Sequence, residues 1–310
     1  MQIIRNLNNI PSSVQDIILV LGNFDGVHLG HQELLLQAKN IAQKKAKKVA
    51  LMTFEPHPLE LLRDKKNIRI TSIAQKISLI KDMGIDCLFI MRFNEAFAKL
   101  SAHSFLDDVL IKKLKINHLV IGHDFIFGKN RSGNAAYLAS QAQQFNYDFS
   151  QVLPHKCPEY KIIYSSTQIR NNLQEGRVEV VKTLLGRYYN IIARVVAGDK
   201  IGREIGYKTA NINLKNLLRI KYGVYAVKVD YDNNSYFGIA NVGIRPTMKE
   251  LKELLEVHIF DFDQDIYGEK INIKFVKFIR NEKKFNNKQE LSQQIKQDCQ
   301  QVKQHFNIII

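Results

Sequence analysis

Apolar and polar positions follow two regimes along the chain. Up to Leu185, short and fully apolar runs alternate with longer stretches in which apolar residues recur every three or four positions. Ile17 to Leu21, Val49 to Phe54, Cys87 to Met91 and His118 to Ile121 are brief, rich in β-branched residues and bounded by turn formers, which predicts buried strands. Between them, Leu34, Ala38, Ile41 and Ala42 share one helical face, and Ile73 to Met83 and Phe105 to Leu114 keep the same spacing. Strands alternating with helices predict βαβ units and a parallel sheet. Right-handed crossovers would bring the loops Gly22 to His31 and Gly122 to Gly133 to one edge of it.

From Tyr188 onward the period shortens. Asn190 to Val196, Tyr222 to Tyr231, Tyr236 to Val242, Glu256 to Phe262 and Lys270 to Phe278 read as short strands, with a hairpin at Asp232-Asn233-Asn234. That spacing predicts a small antiparallel barrel. Asn287 and Glu290 form a capping-box pattern ahead of Leu291, Ile295, Cys299, Val302 and Phe306, one face of a closing helix. The expected architecture is therefore α/β followed by β, with residues 1–185 and 186–310 as domains.

Composition changes this picture little: 310 residues, 45% hydrophobic and 24% charged, suffice for two cored domains. The formal charge of +15 points to anionic partners. The lysines are scattered apart from Gln43 to Lys48 and Lys274 to Lys284, and no strand pairs basic with aromatic residues as an RNA-binding sheet would. Nucleic acid is disfavoured on that ground, and small anionic substrates are preferred. Cys87, Cys157 and Cys299 lie too far apart for a disulfide framework or a zinc cluster and fit a reducing compartment. With no signal-peptide pattern and no bilayer-length apolar run, the expected location is the cytoplasm, with no membrane partner. Oligomeric state stays open.

The stretch VLGNFDGVHLGHQELL, Val20 to Leu35, holds the candidate chemistry. Gly22, Asn23, Asp25 and Gly26 break the strand, and His28 and His31 fall where a helix begins. Unpaired N–H groups and the positive dipole end make that junction a phosphate site, where two imidazoles could donate to a nucleotide. The plainer alternative has one histidine as helix cap and the other as a solvated residue, and short HxGH motifs do arise by chance. The flanking glycines and the strand–turn–helix context favour the nucleotide site.

Two further stretches belong with it. The loop GHDFIFGKNRSG, Gly122 to Gly133, carries Asp124, Phe125, Phe127, Lys129 and Arg131: an acid, two rings able to stack on a planar group, and two cations. Alone it would read as an ordinary surface loop. Ser165, Ser166 and Thr167 open a helix with Arg170 one turn in. At least one hydroxyl is expected to cap the helix; the group could equally clamp distal phosphates.

HxGH, DF-x-FG and SST-x-IR in this order make the chain resemble the bacterial bifunctional riboflavin kinase/FMN adenylyltransferases, or prokaryotic FAD synthetases. Independently, VVAGDKIGREIGYKTANI, GVYAVKV, IANVGIRPTM and LEVHIFDFDQDIYG resemble the riboflavin-kinase module. The resemblance implies a Rossmann-like HxGH nucleotidyltransferase domain followed by a β-barrel kinase domain, with ATP, riboflavin and FMN as substrates and Mg²⁺ as cofactor. On that basis His28 and His31 would stabilise the α-phosphate of ATP. Gly22, Asn23 and Phe24 would support the nucleotide, Ser165, Ser166, Thr167 and Arg170 the phosphates, and Asp124 the adenine or flavin side.

In the second half, Thr209 and Asn211 would hold Mg²⁺–ATP and Glu256 would act as base. Gly198, Gly202, Arg203 and Gly206 would line the nucleotide. Apart from the resemblance, a glutamate opening a strand is usually a solvated edge residue, and barrel turns need glycine in any case.

Four positions depart from the family pattern. Lys208 stands where proline usually precedes Thr-Ala-Asn, Tyr188 replaces the proline of GRPY, Ala197 a histidine and Ile126 an arginine. An alternative keeps the adenylyltransferase and treats the barrel as a degenerate flavin-binding module. An aminoacyl-tRNA synthetase shares HxGH, but no KMSKS-like loop is present.

Overall fold

A computed structural model describes residues 1–8, 10–197, 206–246 and 251–308, without the side chains of residues 245, 246, 251 and 252. The chain divides into two compact units, Met1–Ser166 and Thr167–Ile310.

The first unit is built on a six-stranded parallel sheet in the order β1-β4-β3-β2-β5-β6: β1 (Gln2–Ile4), β2 (Ile18–Leu21), β3 (Val49–Glu55), β4 (Cys87–Arg92), β5 (His118–Gly122) and β6 (Asp148–Val152). Among the described residues six α-helices connect them: α1 (Leu29–Lys45), α2 (Pro58–Leu62), α3 (Ile73–Asp82), α4 (Glu95–Ala98), α5 (Ala102–Ser104) and α6 (Ala135–Gln141). The helix expected over Phe105 to Leu114 follows α5 as a π-type stretch, Phe105–Ile111.

The continuous apolar runs are explained by burial on both faces. Leu19, Leu21, Met52, Phe89 and Ile121 pack into one core with Phe105 and Leu106, whereas Ile18, Val20, Leu51, Leu88 and Val120 pack into another with α1 and α3. β2 is central and pairs with β3 and β5, so the loops after β2 and β5 leave the same sheet edge.

The second unit contains α7 (Ser166–Gln174), α8 (Val178–Leu185) and a closed barrel in the order β10-β11-β8-β7-β12-β9. Its strands are β7 (Tyr189–Val196), β8 (Ala210–Ile212), β9 (Gly223–Tyr231), β10 (Asn234–Pro246), β11 (Leu251–Ile259) and β12 (Lys270–Asn281), antiparallel throughout. The hairpin joining β9 to β10 turns through Asp232 and Asn233, both with positive φ (46° and 61°), the conformation two-residue hairpins require.

Tyr189, Tyr225 and Phe275 fill the barrel, with Tyr225 edge-on to Phe275 at 5.2 Å. On the other face of β9, Val224 and Ala226 receive Cys299 and Val302 of α9 (Lys288–His305). The expected cap is present: Asn287 accepts from Glu290 N–H at 2.8 Å. Arg280 also grips the buried carboxylate of Asp298 through Nε and Nη2 at 2.7–3.0 Å, fixing α9 to β12.

Candidate active sites

The turn between β2 and α1 is an unusual piece of backbone. Phe24 (φ 50°), Gly26 (φ 84°) and Val27 (φ 42°) all lie in the left-handed region, and two of them carry bulky side chains buried to completion or nearly so. Such residues cost about 1–3 kcal/mol each and persist only where the surroundings over-determine them.

Several bonds do so here. The Asp25 carboxylate, 2% exposed, accepts from Ile70 N–H (3.0 and 3.1 Å) and Thr71 N–H (3.2 Å). Gly26 N–H donates to Thr71 Oγ1 at 3.2 Å, and Ser166 Oγ donates to the Asp25 carbonyl at 2.8 Å. The Asn23 carbonyl accepts from Thr53 Oγ1 at 2.9 Å and from Lys76 Nζ at 2.7 Å. Glycine is required at Gly22, where a Cβ would meet the Phe24 ring at 2.8 Å.

This turn presents the two histidines. His28 is the N-cap of α1, its Nδ1 accepting from His31 N–H at 3.3 Å. The two rings stack with centroids 3.6 Å apart, and Phe24 leans on His31 at 4.8 Å. The cap expected of one histidine is therefore present at His28, while His31 is half-buried against it rather than solvated. Because Nδ1 of His28 is committed as an acceptor, the proton of the neutral ring resides on Nε2, which makes Nε2 a donor. Gly30 is close-packed, since a Cβ there would lie 3.1 Å from Tyr164 Cβ and 3.2 Å from His28 Nδ1.

Gly22, Asn23, Phe24, His28, His31 and Ser166 thus converge on the start of α1, with Ser165 adjacent in the chain to Ser166. Thr167 and Arg170 lie on α7, in the second unit. Asp124 is exposed in the loop after β5. Phe125 and Phe127 pack against the core that holds Phe105, their own rings stacked at 5.6 Å; they anchor this loop.

Sequence reasoning missed Lys76, Thr53 and Thr71. Lys76 did leave a signal: it sits on the apolar stripe of Ile73, Ile77 and Ile80, where a solvated lysine has no place. Beside it Arg69 bridges Glu55 at 2.6 Å and Glu60 at 2.5 Å, and its pKa is raised, first by the hydrogen bonds it donates to Glu60. Lys76 is 4% exposed, and burial lowers its pKa.

In the barrel, Glu256 of β11 stands opposite Asn211 of β8 on one side and Asn241 of β10 on the other. Asn211 is 4% exposed and its Oδ1 has no hydrogen-bond partner among the described residues. A buried amide oxygen without a donor is costly, so an electropositive ligand is the natural complement. Asn211 and Thr209 line a cavity with Lys208, Val195, Ile259 and Asp263.

Glu256 does not line this cavity but adjoins it through its pairing with Asn211. Lys208 is ion-paired with Asp263, and its carbonyl lies 2.8 Å from His258 Nδ1. Burial lowers the pKa of His258, which keeps that ring neutral and Nδ1–H the donor. Gly206 is exposed with φ 86° and has open space where a Cβ would go. Gly198, Gly202 and Arg203 lie outside the described residues.

Amide and hydroxyl oxygens at Asn211 and Thr209 suit a hard cation that keeps water and phosphate in its shell. Among the described residues, no group of three or more His, Cys, Asp or Glu side chains offers a protein-only metal site. No helix among them is long and apolar enough to cross a membrane.

Residues 10–168 match the family model described as FAD synthetase, and residues 185–306 match the one described as riboflavin kinase. Fold and site together define a nucleotidyltransferase joined to a flavokinase barrel. Over its whole length the chain is 42% identical to the bifunctional riboflavin kinase/FMN adenylyltransferase of Buchnera aphidicola subsp. Schizaphis graminum, with 100% of each covered. It is 40% identical to that of Bacillus subtilis, with 94% of this chain and 92% of the relative covered. A solved structure described as a macrolide-efflux protein from Streptococcus pneumoniae is 32% identical, with 97% and 98% covered and a TM-score of 0.85. The chain belongs to the bifunctional riboflavin kinase/FMN adenylyltransferase family.

Proposed function

We propose that the barrel carries out ATP-dependent phosphorylation of riboflavin to FMN, and that the β2–α1 turn then directs adenylyl transfer from ATP to FMN. This reading gives each site residue a task. In adenylyl transfer the FMN phosphate attacks the α-phosphorus of ATP in line, and pyrophosphate leaves. Catalysis of this kind asks mainly for position and charge stabilisation. Nε2–H of His28, together with His31 and the start of α1, meets the negative charge gathering on the α-phosphate. Gly22, Asn23 and Phe24 shape the nucleotide side, and Asp124 takes the adenine or flavin side. Ser165, Ser166, Thr167 and Arg170 bind the outer phosphates.

In the kinase step Glu256 accepts the proton of the ribityl hydroxyl as that oxygen attacks the γ-phosphorus of ATP, and ADP leaves as the bond to the β,γ-bridging oxygen breaks. Thr209 and Asn211 are assigned to Mg²⁺, which when bound neutralises phosphate charge; the unpartnered Asn211 Oδ1 supports that choice. Gly198, Gly202, Arg203 and Gly206 are assigned to the nucleotide. Residues 1–185 form the adenylyltransferase domain in this reading and 186–310 the kinase domain. We place the protein in the cytoplasm, on its three buried free thiols.

The observation that carries the proposal is the stacked His28–His31 pair on the N-terminus of α1. Its test is product analysis with riboflavin, ATP and Mg²⁺, resolving FMN from FAD. Riboflavin converted first to FMN and then to FAD, with pyrophosphate released only in the second step, is the expected result. FMN without FAD, or FAD only from supplied FMN, would remove one half of the reading.

A further inference from the structure

Lys76 is the one lysine of α3 turned into the core, 4% exposed, and neither step described above uses it. Its Nζ donates to the Asn23 carbonyl at 2.7 Å and lies 3.4 Å from Thr53 Oγ1, which itself donates to the same carbonyl at 2.9 Å. A lysine held this deep needs compensation. The charges that act on it are those of Asp25, Glu55 and Glu60, with Arg69 opposing them.

Asn23 immediately precedes Phe24, Asp25, Gly26 and Val27, the turn in which three residues hold positive φ. The far end of that turn is His28. The Asn23 carbonyl is thus the point where α3 and β3 hold the near end of a strained segment whose far end is the phosphate-facing histidine. Asp25, bonded to Ile70 and Thr71, holds its middle.

We propose that Lys76 is a positioning residue for adenylyl transfer, its buried ammonium holding the Asn23 carbonyl and through it the turn that aims His28 and His31. This rests on the assignment of the two histidines to the α-phosphate. Displacing them by about 1 Å is enough to cost on the order of a hundredfold in rate, because donors act on the transition state only at the right distance. Of the proposed substrate-binding groups only Gly22, Asn23 and Phe24 belong to this turn; the outer-phosphate and flavin groups lie elsewhere in the chain, so binding changes far less than the rate.

The test uses the full chain with Lys76→Met, which keeps length and apolar volume but removes charge and donor, and Lys76→Gln, which keeps an N–H donor. For Lys76→Met, kcat for FAD formation should fall about a hundredfold. KM for ATP and FMN should stay within about threefold, with unchanged circular dichroism and riboflavin phosphorylation within about twofold. Lys76→Gln should recover at least about tenfold of the lost kcat.

A parental kcat in Lys76→Met overturns the inference. So does a loss confined to KM, no recovery in Lys76→Gln, or collapse of the circular dichroism signal in both variants, each of which leaves Lys76 a purely structural part. His28→Ala separates this outcome from failure of the parent reading. If that variant loses FAD formation while Lys76→Met does not, only the inference fails. If His28→Ala keeps FAD formation, the histidine assignment fails first.

Discussion

His28 accepts a hydrogen bond at Nδ1 from the backbone N–H of His31 while its ring stacks on that residue's imidazole at 3.6 Å. One side chain therefore caps α1, fixes its own tautomer and orients its neighbour. His28→Ala should abolish FAD formation, by about a hundredfold or more, while FMN still accumulates. Loss of the cap also costs that variant about 1 kcal/mol of stability. His28→Asn separates the two effects, because asparagine caps well but cannot place a donor where Nε2 stands. Its thermal midpoint should match the parent while its FAD activity matches His28→Ala. FAD formation at the parental rate in either variant would refute the assignment.

Glu256 pairs with Asn211 across β11 and β8. Glu256→Gln preserves shape and should block riboflavin phosphorylation by about a hundredfold to ten-thousandfold, as expected for removal of a general base. Conversion of supplied FMN to FAD should continue. A twofold loss would make Glu256 an ordinary strand residue.

Asn211→Leu tests the unpartnered amide oxygen differently. Replacing an unsatisfied buried acceptor by an apolar group of similar volume costs little stability and can add some. The variant should therefore unfold at or above the parental temperature yet need far more Mg²⁺ for kinase turnover. Unchanged Mg²⁺ dependence would detach this residue from the metal.

The two regimes of apolar spacing were enough to find β2, β3, β4, β5 and most of the barrel, because burial on two faces or on one leaves different periods. The strands β1, β6 and β8 were not legible. β1 and β8 are three residues long, and the DFSQV of β6 has no alternation; all depend on a neighbour to exist. At the site, His28, His31 and the SST stretch could be read from residue types alone. The positive φ values of Phe24 and Val27 could not, since tertiary bonds from Asp25, Thr71 and Ser166 impose them against local preference. Phe125 and Phe127 were legible only as rings in a glycine-rich loop; that they are half-buried and packed against the core around Phe105 depends on distant residues.

Cys87, Cys157 and Cys299 are buried and free. Burial pushes the Cys87 thiol up to about 12 and the Cys299 thiol up to about 11. Thiolate is the reactive form, so at pH 8 the native protein should resist iodoacetamide at both positions. Three equivalents should react once the chain is unfolded. Rapid native labelling of Cys87 or Cys299 would show that these segments open.

Lys208 occupies the position before Thr209 where the family usually has proline, and the kinase should work despite it. Proline restrains the backbone, and giving up that restraint costs about 0.4–1 kcal/mol where the conformation is otherwise compatible. The structure supplies a substitute. His258 Nδ1 donates to the Lys208 carbonyl at 2.8 Å, and Lys208 Nζ pairs with Asp263 across the cavity that Thr209 and Asn211 line. The carbonyl bond survives in Lys208→Pro, because proline keeps its C=O. The ion pair does not survive, but with side chains 53% and 87% exposed it is worth at most about 1 kcal/mol. The gain in restraint and the lost pair oppose each other, so the net change in Mg²⁺–ATP affinity should be a modest improvement of at most about fivefold. FAD formation from supplied FMN should not move. His258→Ala supplies the contrast, since it removes the bond that stands in for proline. It should raise the KM for ATP in the lysine background and do so less in the Lys208→Pro background, a coupling that a double-mutant cycle reads directly. Additive effects would mean that His258 does not restrain this segment. A parent with no kinase activity, restored by Lys208→Pro, would mean that the proline is required.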